Sequence, residues 1–188
     1  MRFSRRKKNK VFKEVRQNVE GDLGIDLSGC PGLCIYWAAA TVATLMKQGI
    51  RTAIQAGTAY WPRVPRNEWV TDDCAHFGYK WEGASSPLDQ VSISMGNLPE
   101  MHIWAAILDT RELIDMTTWS WPAACKRMLG MDWQGSKPPN YFWANKPPAG
   151  VIYKVNLRAT LYAFRVVEAL HHGESATSKR VLEMMSHG

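Results

Sequence analysis

The stretch Leu33–Gln48 constrains this chain more than any other, because Ile35, Ala38, Ala39, Val42, Leu45 and Met46 recur every three or four positions. That period predicts a helix with one face against a core. Pro31-Gly32 ends the loop before it, Gly49 stands where a left-handed C-terminal cap is wanted, and Lys47 complements the negative end of the helix dipole. Cys34 therefore falls in the first turn, where backbone N–H groups lack intrahelical acceptors and an anion is favoured. The thiolate is the nucleophilic form of cysteine, so this position suits cysteine catalysis, and the Cys34 N–H can help hold an oxyanion. On burial statistics alone, the same residue reads as a small core side chain.

After Gly49 the pattern changes to short β-like runs, Ile50–Tyr60, Phe77–Trp81, Val91–Ser94, His102–Leu108 and Glu112–Thr118, separated by Pro, Gly, Asn and Asp. A short helix is expected at Ala123–Met131, then a Pro- and Trp-rich loop, then a second periodic helix at Leu157–Leu170. The expected fold class is α+β, with the Cys34 helix packed on an antiparallel sheet. Residues 1–9 read as a disordered arm and Lys10–Glu20 as a short helix. The expected organisation is a basic arm with its helix over 1–20, one catalytic domain over 21–172 and a polar tail over 173–188. No internal repeat or linker argues for a second domain.

The formal net charge of +6 over 188 residues is concentrated at one end. Arg2, Arg5, Arg6, Lys7, Lys8, Lys10, Lys13 and Arg16, set against Glu14, give the first sixteen residues +7 and leave the remainder at −1. Such an arm either contacts RNA, DNA or anionic lipid non-specifically or is a solvated terminus. The charged, amphipathic Lys10–Glu20 does not read as a secretory signal, and Cys34–Met46 is too short to span a bilayer. Four cysteines, Cys30, Cys34, Cys74 and Cys125, lack the density of a disulfide framework, so a reducing cytoplasm is the expected location.

A base for Cys34 is sought among the histidines. His102-Ile103-Trp104 opens one strand, Leu113–Thr117 forms the next, and Leu108-Asp109-Thr110-Arg111 reads as the turn between them. With Asp109-Thr110 as a two-residue loop, Leu108 faces Arg111, Trp104 faces Asp115 and His102 faces Thr117. His102 and Asp115 are then diagonal on one face, within reach of an imidazole–carboxylate hydrogen bond. That bond would fix the tautomer of His102 and leave its other nitrogen to take a proton from Cys34. A loop longer by one residue, without a bulge, would put the pair on opposite faces.

The order of a cysteine-bearing helix, a strand, a histidine strand and an aspartate strand resembles the papain-like fold in its transglutaminase-like branch. There the nucleophile helix ends in a Gly-Ile step leading into a strand, here Gly49-Ile50-Arg51-Thr52-Ala53; the base lies in a His-x-Trp word, here His102-Ile103-Trp104. The acid lies in an Asp-Pro-Thr word, of which Asp115-Met116-Thr117 keeps two residues. The resemblance covers about Gly29–Thr118. It implies a thiol hydrolase or acyltransferase working through a thioester with Cys34, His102 and Asp115 as its triad. The relatives include peptidases, amidases, acyltransferases, deamidases and protein cross-linkers, so the reaction itself is not fixed. Ile35 departs from the aromatic or charged residue of many relatives, with Trp37 in equivalent space, and the upstream loop offers only Ser28 and backbone amides as a second oxyanion donor.

Trp37, Trp104 and Trp119 are the expected substrate-facing residues, although packing is the commoner fate of large aromatics. Cys30, Cys34, Cys74, His76 and Cys125 do not form clean zinc knuckles, and no metal or cofactor is expected. His76 has no acidic partner at hairpin distance and reads as structural, while His171, His172 and His187 read as solvated. The expected partner is a peptide, protein or small amide or ester substrate. The alternative is a non-catalytic module gripping nucleic acid or an acidic partner through its basic arm.

Overall fold

The computed structural model describes residues 3–23, 34–65, 75–81 and 101–171. Over these residues the fold is α+β: four helices, α1 (Arg5–Leu23), α2 (Cys34–Lys47), α3 (Trp121–Leu129) and α4 (Leu157–His171), accompany an antiparallel sheet. Its strands are β1 (Thr52–Pro62), β2 (His76–Tyr79), β3 (His102–Ile107), β4 (Glu112–Asp115), β5 (Phe142–Ala144) and β6 (Ile152–Val155). The hydrogen-bonded path runs β2-β1-β3-β4-β5, and β6 pairs with β1 off this path. The expected strand Val91–Ser94 and the tail over 173–188 lie outside the described residues.

Helix α2 is sealed on more than one side, which is why its buried set differs from the simple stripe of the sequence. Ile35 and Ala38 join Ile54, Ala56 and Ile103 of the sheet and Ala159 and Ala163 of α4. Trp37 and Leu45 join Val11, Val15 and Val19 of α1 together with Ile107 and Ile114. Thr41 and Thr44 are buried as well, and the Thr41 hydroxyl donates to the Trp37 carbonyl at 2.6 Å, so a polar atom inside the core is satisfied. Met46 points outward at 60% exposure. Gly49 carries φ 73, and the chain turns there from α2 into β1.

The arm expected to be disordered is helical from Arg5, and Phe3 ahead of it packs on Trp143 with ring centroids 4.9 Å apart. The physical reason is that the apolar pattern begins earlier: Phe3 adds an anchor about two turns before Val11, and it is buried together with Val11, Val15 and Val19. Lys8 reinforces the seat, with its ammonium 3.3 Å from Glu112 and donating to the Trp143 carbonyl at 3.0 Å.

Strand β3 is buried along its whole length and divides its side chains between two cores. Ile103, Ala105 and Ile107 face α2, α1 and α4, whereas Trp104 faces the opposite core of Trp61, Phe77, Trp121, Cys125 and Phe142. The β3–β4 hairpin pairs Ala105 with Ile114, Ala106 with Leu113 and Ile107 with Glu112. This is the expected register, reached by a different turn. Pairing stops at Ile107, the Leu108 N–H donates to the Arg51 carbonyl, and Arg111 adopts a left-handed φ of 55. One residue is lost from each strand, so the four-residue turn leaves the register unchanged.

Strands β5 and β6 fall in segments read from sequence as loop. Three residues of β5 pair with β4, and β6 pairs antiparallel with β1 from Gly57 to Tyr60. Asn156 then caps α4, its side-chain oxygen accepting from the Ala159 N–H at 3.1 Å, and Thr160 ties the helix to β1 by accepting from the Ala56 N–H at 3.0 Å.

Candidate active site

The site is built where the first residue of β3 meets the last residue of β4. His102 and Asp115 are each 1% exposed, and their side chains form a hydrogen bond of 2.7 Å between His102 Nε2 and Asp115 Oδ2. The diagonal placement in the hairpin brings them together. Asp115 accepts three further hydrogen bonds: from the Thr117 N–H at 2.8 Å, the Thr117 hydroxyl at 2.6 Å and the Tyr153 hydroxyl at 2.6 Å. The Tyr153 oxygen in turn accepts from Trp61 Nε1 at 3.0 Å. A buried carboxylate is costly unless paired and hydrogen-bonded, and here four hydrogen bonds meet it.

The electrostatics follow from that inventory. Burial alone pushes the Asp115 carboxyl upward, but the His102 charge and the hydrogen bonds from His102, Thr117 and Tyr153 outweigh it and hold Asp115 below the usual carboxylate value. Burial likewise pushes His102 downward. The Asp115 charge and hydrogen bond, followed by hydrogen bonding and charge at Cys34, override it and raise His102 to about 10. Burial and then the neighbouring Asp115 charge raise Tyr153 well above its ordinary value, so it remains a donor.

The imidazole is held by rings as well as by the carboxylate. Tyr79 stacks on it at 5.5 Å and 10°, and Trp121 meets it edge-on at 5.0 Å and 81°. With Nε2 committed to Asp115, the nitrogen left over is Nδ1, which is buried and has no aligned hydrogen-bond partner among the described residues. The Cys34 thiol on α2 lies near enough for its charge and hydrogen-bonding capacity to raise the ring's pKa. It is a free, half-buried thiol at the first residue of α2. His102 and Asp115 are thus joined across β3 and β4, and the thiol stands at the unpaired N–H end of the 14-residue helix α2.

Of the tryptophans expected to face substrate, Trp37 and Trp104 are packed inside cores and Trp119 is half-buried. Trp37 is buried at 2%, stacked on Phe12 and met edge-on by Trp119, itself half-buried in the same core. Trp104 is buried at 1%, and its Nε1 donates to Gln55 Oε1 at 3.1 Å on the facing strand. The reason is positional: α1 covers Trp37, and alternation along β3 turns Trp104 into the second core. His76 is half-buried at the start of β2. Cys125 is buried on α3, whereas Ser28, Cys30, Cys74, His172 and His187 lie outside the described residues. Among the described residues, no three metal-ligating side chains converge, and no helix is long and apolar enough to cross a membrane.

Tyr153 is the site residue that sequence reasoning missed. Its signal was the run Val151-Ile152-Tyr153-Lys154-Val155 between Gly150 and Asn156, a β-branched and aromatic stretch bounded by turn residues. Trp61, Tyr79 and Trp121 belong to the same surroundings and carry no local mark of it.

No family model and no curated protein matches the chain. The chain is similar to a solved structure titled only as a genomics target, at 12% identity and a TM-score of 0.44, over 88% of this chain and 71% of that one.

Proposed function

We propose that the protein is a cysteine-dependent hydrolase or acyltransferase of the papain-like, transglutaminase-like type, acting on an amide, ester or thioester. The observation that carries this reading is the position of His102, whose Nε2 is bound to Asp115 at 2.7 Å and whose pKa is raised by that carboxylate and by the nearby Cys34 thiol. An imidazolium beside a thiol at a helix N-terminus favours the thiolate. The sulfur attacks the carbonyl carbon, forming a carbon–sulfur bond and an oxyanion toward which the first-turn N–H groups of α2 are directed. Collapse breaks the bond to the leaving group, which takes the proton from His102. Water or an amine then gives a proton to His102 and attacks the thioester, and the thiolate returns. Asp115 orients the ring and stabilises its charged form throughout.

Alkylation rates measured thiol by thiol test the reading. At mildly acidic pH, iodoacetamide is expected to modify Cys34 at least about tenfold faster than Cys30, Cys74 or Cys125, because only a thiolate reacts there. His102→Ala is expected to abolish the excess. Equal rates at all four thiols of the folded protein would remove the nucleophile from the account.

A further inference from the structure

The outer face of α1 carries a feature that the proposed triad does not use. An open groove of about 1040 Å³ is lined by Arg5, Arg6, Lys7, Lys10 and Lys13 against a single carboxylate, Glu14, with Asn9, Val11 and Gln48 beside them. Arg5, Arg6, Lys10 and Lys13 make no ion pair among the described residues, whereas Lys8, Arg16 and Arg51 do. The helix holding these cations is anchored by Val11, Val15 and Val19, at 1%, 0% and 2% exposure. The charges therefore form a fixed array and are not carried on a loose tail. Ordering cost is already met in the free protein, which favours binding.

The geometry points to a single-stranded nucleic acid as the occupant, its phosphates lying along the α1 groove. Arg6, Lys10 and Lys13 stand four and three positions apart, so they rise along one face in steps of about 6 and 4.5 Å. This row of cations suits an anion that repeats along a strand. The apolar face of α1 is committed to the core, so the helix has no face to insert into a lipid surface. An aromatic edge adjoins the groove: Tyr141, half-buried and under the influence of the Arg5 charge, donates its hydroxyl to Asn9 at 2.6 Å. Cations that track a backbone beside an aromatic ring are the elements of sequence-tolerant single-strand binding.

Fluorescence anisotropy of a labelled 15-nucleotide oligo-dT or oligo-rU, titrated with the full chain between 50 and 200 mM KCl, tests this. Micromolar binding is expected at the low end, with a log–log salt slope of about −3 from four phosphate contacts. The combined change Arg5→Gln, Arg6→Gln, Lys10→Gln and Lys13→Gln, whose folding is checked by thermal melting, should weaken binding at least about tenfold and flatten the slope. If that variant does not fold, Lys10→Gln and Lys13→Gln tested singly should each reduce the slope by about 0.7. The proposal is overturned if the oligonucleotide does not bind at 50 mM KCl or if the charge-neutralised proteins bind as the parent does. It is equally overturned if phosphatidylserine vesicles or polyglutamate are held as tightly as the oligonucleotide.

Discussion

At the scale of single residues, Asp115 is the side chain on which most of the site depends, since one carboxylate accepts from His102, Thr117 and Tyr153 at once. Tyr153→Phe removes the donor at 2.6 Å and leaves Trp61 Nε1 facing no acceptor, so it should destabilise the fold by about 2 kcal/mol in urea titrations. A loss below about 0.5 kcal/mol would mean that the Trp61–Tyr153–Asp115 chain is not maintained in solution. The buried ion pair also imposes a pH dependence with a definite sign. Asp115 is depressed from 3.8, so its contribution is present above that value and is lost as pH falls through the folded value. His102 is raised from 6.5 to about 10, so its contribution is complete below 6.5 and is lost as pH rises toward 10. The melting-temperature gap between the parent and a His102→Gln, Asp115→Asn double variant should therefore be widest between pH 4 and 6.5 and should narrow steadily up to pH 10. A gap independent of pH over that range would mean that neither group is charged in the folded protein.

At the scale of elements, the two strands of the hairpin were the most legible part of the site. Alternation and a turn-rich tetrapeptide predict the pairing of β3 with β4, and a symmetrical change in loop length leaves that pairing intact. Helix α2 was legible from its period and cap. Strands β5 and β6 were not, because three- and four-residue strands give too few positions for a two-residue period to stand out. The Tyr153 contact depends on β6 lying close against β1, which in turn requires Gly57. A Cβ at position 57 would collide with the Lys154 carbonyl oxygen and stand 2.9 Å from the Asn156 nitrogen. Gly57→Ala should therefore cost about 1–3 kcal/mol and loosen β6, seen as faster amide exchange at Tyr153 and Val155. Unchanged exchange there would show that β6 tolerates the added methyl.

At the scale of the whole molecule, the N-terminal segment changes character between sequence and structure. Charge dominates its composition, and a run of cations reads as a solvated arm, yet four apolar residues spaced through it suffice to seat a 19-residue helix over Trp37 and Leu45. Val15→Ala, at a residue with 0% exposure, should cost about 2 kcal/mol, and deleting residues 1–23 should abolish cooperative unfolding by exposing one side of α2. Retained cooperative unfolding after that deletion would assign α1 to decoration. The same assembly that α1 completes packs α2 against β3 and β4, and under the proposed function Cys34, His102 and Asp115 act there as one electrically linked unit. An NMR titration of the His102 ring, in the parent and in Cys34→Ala, tests that linkage most directly. The midpoint should lie near 10 in the parent and lower once the thiol is removed. A parent midpoint near 6.5, or one that Cys34→Ala leaves unmoved, would contradict it.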